Sequence, residues 1–214
     1  MLFKALILIG LINANTIFSF TIMLNPAGDN KHTGRKLHDQ YERGEAFQFA
    51  KQLKFELESL EPQLQVELTH NPSQTLEPLQ VANLANQLNV NLFISIHFYK
   101  EHSAQPQVFL YQFQNQTFFY APSQHELHFY PYTQAYLQNF NLTKNILGQL
   151  HTQLSNANYH NLFTIHLPTG LPFKPLVGVV SPGLGLEIGL KKNGSGSLVK
   201  PIANSLIEVI HEFK

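Results

Sequence analysis

The run Asn91-Leu-Phe-Ile-Ser-Ile-His-Phe-Tyr99 constrains the fold more than any other part of the chain. Leu92, Phe93, Ile94 and Ile96 leave almost no polar face, and β-branched and aromatic residues suit an extended backbone. A strand with one wet face would alternate apolar and polar residues. A near-continuous apolar run belongs instead to a strand covered on both faces, as in sheets flanked by helices. The surrounding chain supplies the covering elements. Helical spacing is read over 41–60, where Phe47, Ala50, Leu53, Phe55 and Leu57 recur and Pro62 ends the run. It is read again over 79–88, with Leu79, Ala82 and Ala85, and over 136–154 and 198–213. Further strands are expected at 20–24, 65–69, 108–113, 163–166 and 185–189, with 118–120 as a return strand. Residues 26–35 and 121–132 read as loops. Strands alternating with helices predict an α/β fold: a single layered domain with a largely parallel twisted sheet flanked by helices.

Composition narrows the function. A chain of 214 residues with 43% hydrophobic and 13% charged residues suits one domain with a full core. Its 14 basic and 14 acidic side chains cancel, and no basic run occurs. Electrostatic capture of nucleic acid or of an acidic membrane is therefore not expected. The absence of cysteine excludes disulfides, thiolate catalysis and Cys-type zinc sites. Any transition metal must be held by His, Asp or Glu.

Residues 1–19 read as an export signal. Lys4 supplies the positive n-region, residues 5–12 the apolar h-region, and Ala14 or Ser19 the small residue before cleavage. Asn13, Asn15 and Thr16 interrupt the apolar stretch and argue against a membrane span. The remaining domain, 20–214, would then lie in the periplasm or outside the cell.

Several residues able to do chemistry fall near the ends of expected strands. Asp29 and His32 lie in the loop after the first strand, and Glu42 opens the first helix. His97 sits late in the central strand. Glu187 is a lone carboxylate in Leu184-Gly-Leu-Glu-Ile-Gly-Leu190. Sites in open α/β sheets gather at the carboxyl ends of strands. A His/carboxylate cluster there has the chemistry of a catalytic zinc site, in which three protein ligands leave one position for water. Taken singly, His97 also reads as a core histidine and Glu42 as a carboxylate favoured by a helix N-terminus. Glu187, between Leu186 and Ile188, is costly to bury unless paired, metal-bound or protonated.

The order of segments IMLNPAGDNKHTG, YERGEAFQFAKQL, LTHNP, ANLANQLNVNLFISIHFY and LGLEIGLKKN resembles the zinc-dependent N-acetylmuramoyl-L-alanine amidases, which cleave bacterial peptidoglycan. The resemblance runs from about residue 21 to the C-terminus. It is strongest from Ala82 to His97 and weakest between Tyr99 and Pro175. It implies a phosphorylase/hydrolase-like fold, zinc as cofactor, and peptidoglycan or muropeptides as substrate. It also implies site roles: Glu42 and His97 as metal ligands beside a histidine of the first loop, and Glu187 as the catalytic carboxylate. Glu187 would take a proton from the zinc-activated water and return it to the leaving amine.

The first loop departs from the family pattern. Gly28 stands where the ligand histidine belongs, and glycine has no ligating side chain. His32 is expected to complete the metal set, because imidazole suits zinc; Asp29 is the other choice. If neither does, the chain is a catalytically inactive relative that binds peptidoglycan or a partner. A zinc carboxypeptidase on the same fold would want an arginine clamp, for which only Arg35 and Arg43 are present. Phe118, Phe119, Tyr120, Phe129, Tyr130 and Tyr132 are expected either to line a groove or to pack over the sheet edge. Lys174 is expected near a substrate carboxylate or carbonyl.

Overall fold

The computed structural model describes residues 20–115, 131–192 and 194–213. Within them the elements run β1 (Thr21–Pro26), α1 (Glu42–Leu60), β2 (Gln65–Leu68), α2 (Pro78–Gln87), β3 (Leu92–Lys100) and β4 (Gln107–Phe113). They continue with α3 (Phe140–Leu154), β5 (Thr164–Ile165), β6 (Thr169–Leu171), β7 (Gly183–Leu190) and α4 (Gly196–Glu212). The strands form one sheet in the order β2-β1-β3-β7-β4-β5, with β6 also on β4. Every ladder is parallel except β4 against β7. The reversal has a simple cause: residues 101–106 are too few to carry the chain back to the starting end of β3, as a parallel crossover requires.

β3 lies in the middle of the sheet, and Leu92–Ile96 are all buried, as the apolar run predicts. On one face, Leu92, Ile94, Ile96 and Phe98 meet Ile22 and Leu24 of β1 and Leu184, Leu186 and Ile188 of β7. Helices α1, α3 and α4 cover this face through residues such as Phe49, Leu53, Leu147, Leu150, Leu206 and Ile210. Phe49 stands edge-on to Phe98 at 5.5 Å. On the other face, α2 packs Val81, Ala82 and Ala85 against Met23 and Phe93. Its start is set by Pro78 and by a capping box between Glu77 and Gln80. At ten residues α2 is short. Beyond it the same face carries Ser95, His97 and Tyr99, in register with Gly185, Glu187 and Gly189 of β7. Phe109 and Tyr111 of β4 continue that row, opposite Glu187 and Gly185. Partners in a ladder share a face, so polar and aromatic groups collect where the helical cover ends.

Some boundaries differ from the sequence pattern. The helix expected from 136 begins as a 3-10 helix over Tyr132–Asn139 and becomes α-helical only at Phe140. β6 and the 3-10 turn Lys174–Leu176 have no counterpart in the expected elements. Three residues are too short to show a period. The expected export signal, the return strand at 118–120 and most of the aromatic loop lie outside the described residues. Among those described, no helix is long and apolar enough to cross a membrane.

Candidate functional site

The loop after β1 starts from a tied-down strand end. Ala27 N–H donates to the Ile96 carbonyl at 2.8 Å. The Asn25 amide donates to Ser95 Oγ at 3.2 Å and accepts from Thr69 Oγ1 at 2.9 Å. His70 Nε2 holds the Gly28 carbonyl at 2.7 Å. The loop then curls on Asp29, whose carboxylate accepts from the N–H groups of Lys31 and His32 at 2.8 and 2.7 Å. Burial alone would raise the Asp29 pKa, but the bonds from His32 and Lys31 outweigh it and the net direction is down. His32 Nδ1 lies 3.1 Å from the same carboxylate, with the side chain 73% exposed. His32 is thus turned to Asp29 and is bonded to neither Glu42 nor His97.

Gly28 cannot be refilled easily. Its φ is +82°, and a Cβ there would stand 2.8 Å from Arg43 Cβ and 2.9 Å from the His32 carbonyl oxygen. Arg43 holds this arrangement by donating from Nη1 to the Asp29 carbonyl at 2.8 Å. The position that the resemblance assigns to the first ligand is therefore occupied by the packing of loop against helix.

Glu42, His97 and Glu187 do come together. Glu42 is the first residue of α1, with a side chain only 4% exposed. Its Oε1 accepts from Phe98 N–H at 3.0 Å and lies 3.2 Å from His97 Nδ1. Register places His97 opposite Glu187. The link between the two carboxylates is Arg35. Its Nη2 is 3.0 Å from Glu42 Oε1 and 2.8 Å from Glu187 Oε1. Its Nε and backbone N–H donate to Glu42 Oε2 at 3.1 and 3.0 Å. Tyr111 donates its hydroxyl to Glu187 Oε2 at 2.8 Å. Arg35 also lies over the Tyr99 ring, 5.9 Å from its centroid.

These contacts set the electrostatics. Burial raises the Glu42 pKa, but hydrogen bonds from His97 and Arg35 and the Arg35 charge more than reverse it, leaving the carboxyl at about 2. Burial likewise lowers the Arg35 pKa, and its two carboxylate partners reverse that too. The phenols of Tyr111 and Tyr99 are pushed up, first by burial and then by their bonds to Glu187 and Glu101.

The same contacts test the fit of a zinc ion. Both oxygens of Glu42 already accept from Arg35. His97 is engaged on both ring nitrogens, by Glu42 and by Ser95 Oγ at 3.0 Å. Among the described residues, no group of three or more His, Asp or Glu stands where it could hold one metal ion. As arranged, the donor set does not fit the ion.

A cleft of about 540 Å³ opens beside this cluster, lined among others by Asn25, Asp29, His32, His70, His97 and Lys174. Lys174, expected near a substrate carboxylate or carbonyl, is one of the lining residues. A cavity of equal volume at the other end of the strands, around Asn86, Asn91 and Pro182, has no ionisable lining residue. Of these two, only the first can do acid–base or ionic chemistry; a third, of about 450 Å³ on α1 and α4, carries Lys51, Glu56 and Lys200 but none of the residues singled out above. Sequence reasoning considered Arg35 only as a clamp for a substrate carboxylate, and it passed over Tyr111. The available signal was the arginine itself, one of two in the chain, seven residues before a helix-opening glutamate.

Comparison with known proteins agrees with this fold. Residues 22–167 match a family model described as N-acetylmuramoyl-L-alanine amidase. No curated protein matches significantly. Solved structures do. The catalytic domain of CwlV, an N-acetylmuramoyl-L-alanine amidase from Bacillus (Paenibacillus) polymyxa var. colistinus, superposes with a TM-score of 0.63 at 18% identity, covering 91% of this chain and 97% of that one. An N-acetylmuramyl-L-alanine amidase from Mycobacterium smegmatis gives 0.61 at 13% identity, covering 92% and 97%. One from Clostridium difficile 630 gives 0.58 at 14%, covering 91% and 96%. At these identities the superpositions establish the fold.

Proposed function

This chain belongs to the N-acetylmuramoyl-L-alanine amidase family, and on that premise we propose that it is exported and engages peptidoglycan at the junction of N-acetylmuramic acid and L-alanine. One observation carries the reading. Glu42, His97 and Glu187 cluster late in or near the parallel strands, beside a cleft large enough for part of a muropeptide. Lys174 at the cleft wall supplies a positive charge for a stem-peptide carboxylate.

Binding without cleavage is the form of this function that the geometry supports best. Gly28 offers no ligand, His32 is held by Asp29, and both Glu42 oxygens are taken. A second reading is favoured by the survival of Glu42, His97 and Glu187 together. In it the chain is a zinc-dependent amidase, His32, Glu42 and His97 are the metal ligands, and Glu187 is the general base. That form requires Arg35 to withdraw and His32 to turn inward.

Co-sedimentation of the mature protein with purified sacculi, followed by product analysis with and without added zinc, tests both. We expect retention on sacculi, weakened in Lys174→Ala, and no release of L-alanyl peptides. Zinc-dependent release that is lost in Glu187→Gln would establish the second reading instead. No retention and no release would sink both.

A further inference from the structure

We propose that the Arg35 guanidinium is the resident cation of this centre, holding Glu42 and Glu187 together and excluding a metal ion, so that the cleft is complete without one. Three features argue for it.

The first is charge. Glu42 and Glu187 have side chains only 4% and 17% exposed. Two carboxylates this close and this buried need a shared counter-charge, or one of them must protonate. Arg35 supplies that charge permanently, since a guanidinium does not lose its proton in proteins. The lone pairs it does not reach are met by Phe98 N–H on Glu42 and by the Tyr111 hydroxyl on Glu187.

The second is shape. Nε and Nη2 grip the two oxygens of Glu42 side by side, while Nη2 also reaches Glu187. Only a planar fork makes these contacts together; a lysine ammonium has a single nitrogen.

The third is the backbone that delivers the fork. Gly34 has φ +73°, and a Cβ on it would lie 2.8 Å from both Cβ and Oε2 of Glu42. Glycine lets the chain come close enough for Arg35 N–H to bond Glu42, while Glu42 N–H bonds the Arg35 carbonyl at 2.8 Å. Arg35 and Glu42 are thus joined through main chain and side chain alike. The Tyr99 ring under the guanidinium has its own space: a Cβ on Gly189 would stand 2.4 Å from that ring.

A metal ion exchanges with solvent and activates water, whereas this cation does neither. The inference rests on the family reading only for where an ion would sit, and its test is independent of peptidoglycan.

The test is metal content and thermal unfolding of the full mature chain with EDTA or with zinc. For the wild type we expect far less than one zinc per chain and a midpoint moved by neither reagent. Arg35→Met should uncover Glu42, His97 and Glu187, so that the variant takes up zinc and its midpoint rises with zinc. Wild-type protein that carries one zinc per chain, or unfolds earlier in EDTA, would overturn the proposal. So would a folded Arg35→Met that ignores zinc. Should Arg35→Met not fold, Arg35→Lys decides with the wild type: it keeps the charge and loses the fork, so its midpoint should fall and stay indifferent to zinc. An Arg35→Lys variant as stable as wild type contradicts the role of the fork. Sacculus retention measured on the same wild-type sample separates the two ideas, because its loss removes the peptidoglycan reading and leaves the metal result standing.

Discussion

Replacing Glu42 with glutamine keeps the side-chain shape and removes one charge from a buried carboxylate bonded to Arg35, His97 and Phe98. The cost can be worked from its acidity. The carboxyl ionises at about 2 in the fold against an ordinary 4.5. A lowering of this size contributes about 3 kcal/mol to stability at neutral pH. Breaking a buried pair from one side costs ~3–5 kcal/mol in general, so the two estimates agree. The direction with pH follows from linkage. Because the folded pKa is the lower one, the contribution is complete above pH 4.5 and is lost as pH falls through about 2. Glutamine does not titrate, so the gap between wild type and Glu42→Gln should be about 3 kcal/mol at pH 7 and close progressively between pH 4.5 and 2. Urea denaturation followed by far-UV circular dichroism measures it. With a slope of about 2–3 kcal/mol per molar, the midpoint at pH 7 should drop by about 1 M. A variant within about 1 kcal/mol of wild type at pH 7 would refute the reasoning. So would a gap that stays constant down to pH 2.

Three further outcomes are expected. Gly28→His should lower stability by about 1–3 kcal/mol, because it puts a side chain at φ +82° and a Cβ against Arg43; equal thermal midpoints would mean that the loop repacks freely. His32→Ala should change the unfolding free energy by less than about 0.5 kcal/mol, since the ring is mostly exposed and its partner Asp29 keeps its backbone donors; a large loss would reveal a structural role not visible in its contacts. Tyr111→Phe leaves Glu187 Oε2 without its phenol donor and should cost about 1–2 kcal/mol at neutral pH. In an alkaline absorbance titration it should also remove one tyrosine that ionises later than the ordinary value of 10. The stability tied to that raised phenol is whole below pH 10 and is lost as pH rises above it.

The chain's own letters determined the α/β layering. The run from Leu92 to Ile96 is apolar on both faces, and helices with one apolar side flank it, so only a covered sheet buries both. They also pointed to Glu42, His97 and Glu187, which stand at an element's start or late in strands where a site would lie. A hydrophobic period is a local property, and it can be read without knowing what packs against it. Tertiary structure alone decided what joins these three residues. Arg35 meets Glu42 across a loop turned at Gly34 and meets Glu187 across the sheet. Neither contact leaves a periodic trace. The same holds for His32, which shares a loop with Gly28 yet is drawn to Asp29 by a turn that the letters do not display. The short link after β3 sets the direction of β4, but only its pairing with β7, contributed from the far end of the chain, brings Tyr111 to Glu187. Burial of two carboxylates demanded a counter-charge, and only the folded backbone determined that a guanidinium would supply it.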